Sequence, residues 1–362
     1  MSHSFTADIT AFFGDPASQL ISNMANGRPV EGSIYIYAPN KIGPFIFAAL
    51  FFISGAVHLW QCIHYRSFKI TALHPFCCLL FTVGFALRAW GAFDFSNLNV
   101  YIASQMFIMC APPLLELANY HTLGRVLYYA PYFTPMHPGR VLTTFGFLSG
   151  VVEVMNAIGV SYIAQKNAKE SIQDLGHVLM KVSLILQVVV IMSFCMIAGV
   201  FWRRCARAGL GKVAGIRAPL TTLYASMALI LVRCIYRIVE HFTITDIPKK
   251  AEPGYDPMRI SPILRWEWYF YVFEAALMLS NTTLWNARHP RRYLPEKYTV
   301  YLAQDGKTEL EGPGWKNNKP WLMTFIDPFD WFGKHDDKQD KQFWEMNGFE
   351  NEPLVKRQQN AV

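Results

Sequence analysis

The chain has 362 residues, of which 52% are hydrophobic and 16% charged, with a formal net charge of +7. Soluble domains carry roughly 25% charged residues spread over their helix faces, whereas here the charges cluster between long apolar runs, which excludes an ordinary soluble fold. Because the basic residues sit at the ends of those runs rather than along one stripe, the positive excess points to membrane-surface anchoring and not to nucleic acid.

Residues 1–42 form a polar N-terminal segment without a basic stretch followed by an apolar core, so no cleavable signal peptide is evident and the first span serves as signal anchor. A hydrocarbon core about 30 Å thick needs about 20 apolar residues of helix. Seven segments meet this, near 43–63, 71–92, 100–124, 141–163, 178–201, 219–242 and 266–286. The sequence therefore predicts an all-α integral membrane bundle of seven transmembrane helices over 43–286. Linkers after the first, third and fifth segments hold Arg66 and Lys69, then Arg125 and Arg140, then Arg203, Arg204, Arg207, Lys212 and Arg217, with no acid among them. The positive-inside rule places these in the cytosol, which puts the N-terminus outside and the C-terminus inside. Residues 287–362 then make a polar cytosolic tail. Its apolar-aromatic patch, Pro320 to Phe332, is expected to dock on the membrane surface or the bundle, and its Lys/Asp run at 334–341 to be solvated.

An ionisable group at membrane depth is costly and therefore a functional candidate. Arg88 lies near the end of the second segment, Glu116 in the third, Glu153 in the fourth, Arg233, Arg237 and Glu240 in the sixth, and Glu267 and Glu274 in the seventh. Arg233, Arg237 and Glu240 fall at i, i+4 and i+7 and share one helix face, so they are expected to form a structural ion network with Glu267 or Glu274. Arg88 is grouped with that network. Glu116 and Glu153 have no basic residue within a helical turn and are the candidate proton donors, unless each pairs with Arg88 or His121 of a neighbouring segment. Asn119, Tyr120 and Asn156 stand beside them, and with Trp60 and Trp90 are candidate substrate contacts. Aromatics at span ends fit interfacial belts as well as ligand contacts.

Six of the seven cysteines lie inside apolar runs, and the histidines are scattered over different segments, so neither a disulfide framework nor a metal site is expected. Phosphate loops, dinucleotide fingerprints and nucleophile elbows are absent, which argues against a nucleotide or other cofactor.

The stretches Leu123-Gly124-Arg125-Val126, Arg233 to Glu240, Glu267 to Glu274 and His289-Pro290 resemble the fungal lipid-translocating exporter family, seven-helix proteins of the sphingoid-base export and aminocholesterol-resistance type. The resemblance covers about residues 43–295 and implies a seven-span fold and an amphiphilic lipid-like substrate. Departures occur in the second segment, where Thr82-Val83-Gly84-Phe85-Ala86-Leu87-Arg88 keeps the arginine but lacks the family's preceding acid, and in the fourth, where Ser149 and Asn156 stand near the family's Asp and Gln. Glu116 occupies a place that is usually small and apolar in the family. In size and in carboxylates at bilayer depth the chain also resembles the membrane-bound terpene cyclases of fungal meroterpenoid metabolism.

Two readings follow. In the first, towards which the isolated acids tip the balance, the bundle is a terpene cyclase in which Glu116 or Glu153 protonates an epoxide or alkene of a prenylated substrate. In the alternative, it is an exporter that moves lipids or other amphiphiles between leaflets. A seven-helix receptor rests on helix number alone. Both main readings take an apolar or amphiphilic small molecule and the lipid bilayer as partners, in the endoplasmic reticulum or the plasma membrane.

Overall fold

The computed structural model describes residue 37 and residues 39–94, 97–164, 169–245 and 260–312. The tail patch at 320–332, the charged run at 334–341 and most of the N-terminal segment lie outside the described residues.

Six long helices dominate: α1 (Gly43–His64), α2 (Leu73–Gly91), α3 (Leu98–Tyr129), α4 (Pro138–Ala164), α5 (Glu170–Arg207) and α6 (Ala214–Thr245). All six are long and apolar enough to cross a membrane, and the chain is accordingly a multi-pass membrane protein. They run past the expected ends. The 38 residues of α5 span about 57 Å at 1.5 Å per residue, so its polar ends, from Glu170 and to Arg207, continue the helix beyond a hydrocarbon core. Gly209, at φ 80°, then turns the chain in the left-handed region that glycine adopts without steric cost.

The seventh expected segment is helical over 268–287 but not uniformly α. It consists of α7 (Trp268–Phe270), a π-helical turn (Tyr271–Ala276) and α8 (Leu277–Ala287). A second irregularity lies in α3, where Pro112 and Pro113 remove two amide donors from the helix interior.

Short linkers place consecutive helices side by side, so α1 packs on α2, α2 on α3, α3 on α4 and α4 on α5. Helix α6 contacts α5 and α3, and α8 closes the ring against α1 and α6. Large apolar side chains cover the outer surface as well as the core. Along α1, Phe52, Ile53, Trp60 and Ile63 are exposed, whereas Ser54, His58 and Gln61 are buried. Small residues carry the helix crossings, as in lipid-embedded bundles. A Cβ on Gly84 would lie 2.7 Å from Ile108 Cγ1 and 3.1 Å from Ile108 N, and the Ser104 hydroxyl donates to the Gly84 carbonyl at 2.9 Å. Gly84→Val should therefore destabilise the detergent-solubilised protein by about 1–3 kcal/mol through forced separation of α2 and α3; an unchanged unfolding midpoint would contradict this crossing.

After the bundle, β1 (Val300–Leu302) and β2 (Glu309–Glu311) form an antiparallel hairpin. The exposed Asp305 accepts from the amides of Lys307 and Thr308, each at 2.9 Å, and with the Thr308 hydroxyl these bonds draw its carboxyl down to about 2. Since that value is depressed, the turn's stabilisation is complete above the usual carboxylate range, near about 4, and is lost as pH falls towards 2.

Candidate functional site

Polar side chains in the bundle interior are stacked in layers that run its length. At the end where α7 begins, Arg88 of α2 donates to Glu267 Oε1 at 3.0 Å and to the Tyr37 hydroxyl at 2.7 Å, with its guanidinium 4.1 Å from the Phe270 ring centroid. Tyr271 donates to the same carboxylate oxygen at 3.0 Å, and the Asn40 amide to the other at 2.6 Å. Next along α6, Arg237 pairs with Glu240, which also accepts from the Tyr236 hydroxyl at 3.3 Å. One turn deeper, Arg233 Nε donates to Glu274 Oε1 at 2.6 Å, and its terminal nitrogen approaches Met109 Sδ at 3.5 Å. The π turn that holds Glu274 and the part of α3 just before Pro112 and Pro113 thus meet at Arg233.

The expected cross-helix network exists, although not in one piece. Arg233 reaches Glu274 across the contact between α6 and the seventh segment, while Arg237 stays with Glu240 on its own helix. Arg88 does not turn to either isolated acid. It pairs with Glu267, 179 residues away in sequence.

Glu116 is fully buried, and its hydrogen-bond partners among the described residues are neutral groups rather than Arg88 or His121. Gln187 of α5 donates to its Oε1 at 2.9 Å and the Tyr120 hydroxyl to its Oε2 at 3.2 Å; that hydroxyl also bonds Ser149 of α4 at 3.0 Å. The Tyr120 ring packs directly on Phe194 and Phe145, at centroid distances of 4.7 and 5.6 Å. Glu153 is half-buried, with Asn156 beside it and both Arg233 and Glu116 within electrostatic reach. The two acids therefore belong to one polar region. His121 makes no pair with either. Trp60 and Trp90 are 59% and 67% exposed on the outer surface and do not join the interior residues.

Asn119 belongs to the next layer, centred on Ser226 of α6. The Ser226 hydroxyl accepts from Asn119 Nδ2 at 2.9 Å and Trp285 Nε1 at 3.1 Å and donates to Asn281 Oδ1 at 2.8 Å. Beyond it, Ser54 donates to Thr282 at 3.1 Å, His58 contacts the Thr282 carbonyl at 3.0 Å, and Gln61 donates to the Asn286 carbonyl at 2.9 Å. Gln187, Ser226, Asn281 and Thr282 are uncharged, and no sequence signal separates them from structural polar residues of apolar helices; Ser149 was marked only by its place near the family's Asp.

At the far end of α3, Arg125 is 1% exposed and donates to the carbonyls of Lys297 at 2.9 Å and Val300 at 3.4 Å. It borders a cleft of about 310 Å³ between α3, the start of α4 and residues 298–299, with Tyr120 at its inner wall. Tyr129 donates to Glu309 at 2.9 Å, which fixes the hairpin beside the same helix end.

The RTA1 like protein family profile matches residues 75–297. Among curated relatives, the "Lipid-translocating exporter-like protein RTA1" of Leptosphaeria maculans is 46% identical over 308 residues, which are 82% of this chain and 58% of the relative. A protein of the same name from Ajellomyces capsulatus is 29% identical over 261 residues, 68% of this chain and 76% of the relative. The "Probable lipid transporter atnI" of Emericella nidulans is 24% identical over 283 residues, 73% of this chain and 69% of the relative. No solved structure matches. The chain thus spans little more than half the length of the Leptosphaeria protein. Neither family nor relatives support the terpene-cyclase reading. Since the profile covers more than half of its residues, the chain belongs to the RTA1-like protein family.

Proposed function

We propose that the chain is a translocator that moves lipids or other amphiphilic compounds between bilayer leaflets. On this reading residues 43–286 form seven spans, residues 1–42 lie outside the cytosol, and residues 287–362 lie inside it. The carrying observation is the layered polar interior, from Arg88–Glu267 through Arg233–Glu274 and Glu116–Gln187 to the Ser226 hub. Burying that many polar groups in a bilayer is expensive. A bundle with no traffic of polar headgroups could pack on small apolar residues instead. The π turn and the proline-bearing helix α3 both face this interior, and a π turn and two missing amide donors suit segments that shift against one another. The names of the relatives point the same way.

The test is reconstitution of the full chain into vesicles with a fluorescent long-chain amphiphile in the bilayer, whose exposure in the outer leaflet is read by a membrane-impermeant quencher. Exchange is expected at least about tenfold faster than in protein-free vesicles, equivalent to lowering the barrier by about 1.4 kcal/mol. Equal rates with and without protein, across cationic, zwitterionic and sterol-like probes, would rule the reading out.

A further inference from the structure

The Leu123-Gly124-Arg125-Val126 stretch is not accounted for by the polar interior, because Arg125 lies at the end of α3, beyond the Ser226 layer. Its burial is unusual. A guanidinium 1% exposed normally has a carboxylate beside it, yet Arg125 forms no ion pair among the described residues. Its terminal nitrogens rest on backbone carbonyls of the segment after the bundle, and its Nε is buried with no acceptor. Among the described residues the charge is offset by dipoles and by the flanking rings of Tyr298 and Tyr128, at 5.3 and 5.7 Å.

That uncompensated cation borders the cleft of about 310 Å³, lined also by His121 one helical turn away and by Tyr298 and Thr299. The opposite wall is nearly featureless. Gly124 lets α4 approach so closely that a Cβ there would stand 3.1 Å from the Pro138 carbonyl, and Gly139 adds no side chain. A planar guanidinium, imidazole and hydroxyls around a space of this size suit an anion with several acceptor oxygens better than a carboxylate or a neutral group. Depth narrows the choice. The cleft lies where α3 ends and α4 starts, at the end of the apolar run of α3, and the commonest anionic group just beyond a span is a lipid phosphate.

We infer that this cleft is a binding site for a phosphate-bearing lipid headgroup, with Arg125 as its charge anchor and His121, Tyr298 and Thr299 completing the polar wall. The site needs no transport event, so it stands or falls separately from the translocation reading.

The test is equilibrium binding of radiolabelled short-chain phosphatidic acid to the purified full-length protein in a neutral detergent, with the matching diacylglycerol and inorganic phosphate as competitors. Wild type is expected to bind the phospholipid, to ignore the diacylglycerol, and to require at least tenfold more inorganic phosphate for displacement. Arg125→Gln should weaken binding at least tenfold. Because Arg125 also holds the segment after the bundle, a second variant guards against a folding defect. In Gly139→Leu, at a residue that lines the cleft, the new Cβ meets nothing closer than 3.4 Å, the His137 ring, so the helix has room for a side chain at the cleft mouth. That variant should fold and lose binding at least tenfold. Wild-type affinity in Gly139→Leu, or equal displacement by diacylglycerol, would overturn the site. Displacement by inorganic phosphate at equal concentration would overturn the lipid as source and leave a free phosphate anion.

Discussion

Arg233→Ala is expected to destabilise the protein by about 3–5 kcal/mol, more than any other single change in the bundle. Glu274 is fully buried, and its Oε1 depends on the guanidinium nitrogen at 2.6 Å, while its Oε2 has no hydrogen-bond partner among the described residues. Removing the cation leaves a carboxylate in a low-dielectric interior with no compensating charge, and the cost is that of the orphaned ion rather than of the lost contact. The reverse follows for the pair together. Arg233→Met combined with Glu274→Leu removes both charges and keeps roughly the packing volume, so it should recover most of the loss. Reversible unfolding in mixed micelles measures both, and a single variant within about 1 kcal/mol of wild type would disprove the argument. The same double variant separates a staple from a moving part. If the pair opens as the seventh segment shifts on its π turn, the folded double variant should translocate at least about tenfold more slowly, a difference of about 1.4 kcal/mol in the barrier. Wild-type rates in it would reduce the pair to a structural role.

What could be read from the sequence and what could not divide along a physical line. Hydropathy reports burial in a bilayer, so the positions of the six long helices were legible to within a few residues at most ends. The ends of α5 were not, because Glu170 to His177 and Arg203 to Arg207 continue the helix through polar surroundings to which an apolar count is blind. Period alone put Arg233 and Arg237 on one face, yet Arg237 found its partner one turn away, and nothing local to Arg88 indicated Glu267 on the seventh segment. Tyr120 as a partner of Glu116 follows from their i, i+4 spacing, whereas Gln187 sits in an apolar run and has meaning only once α5 is laid against α3. Trp60 and Trp90 show an ambiguity of another kind. Large aromatics near span ends suit both a belt and a pocket, and their outward orientation decides for the belt. Arg125 was visible as a basic residue of a linker and as part of the Leu123–Val126 family stretch, but not as a buried cation, since its partners are backbone carbonyls and carry no residue signature.

Glu116 yields the second large effect, and there stability and function should part. Glu116→Leu removes the acceptor for Gln187 Nε2, leaving a buried amide unpaired at a cost of about 1–3 kcal/mol. Tyr120 suffers less, because its hydroxyl keeps Ser149 at 3.0 Å. Glu116→Gln is nearly isosteric: its amide oxygen can still accept from Gln187, and its amide nitrogen can donate to the Tyr120 oxygen, so the fold should lose less than about 1 kcal/mol. Yet the glutamine cannot take up or release a charge midway between Arg233 and the Ser226 layer. If a cationic headgroup passes through this interior, the carboxylate is the counter-charge it meets after leaving the Arg233–Glu274 level. Translocation of a cationic long-chain base by Glu116→Gln should then fall at least about tenfold, with a smaller loss for a zwitterionic lipid, whose own phosphate supplies a negative charge. Equal losses for both probes would assign Glu116 to packing alone, and no loss for either would remove it from the path. Only a selective loss is consistent with a carboxylate that is held in place by Gln187 and Tyr120 yet acts on what moves past it.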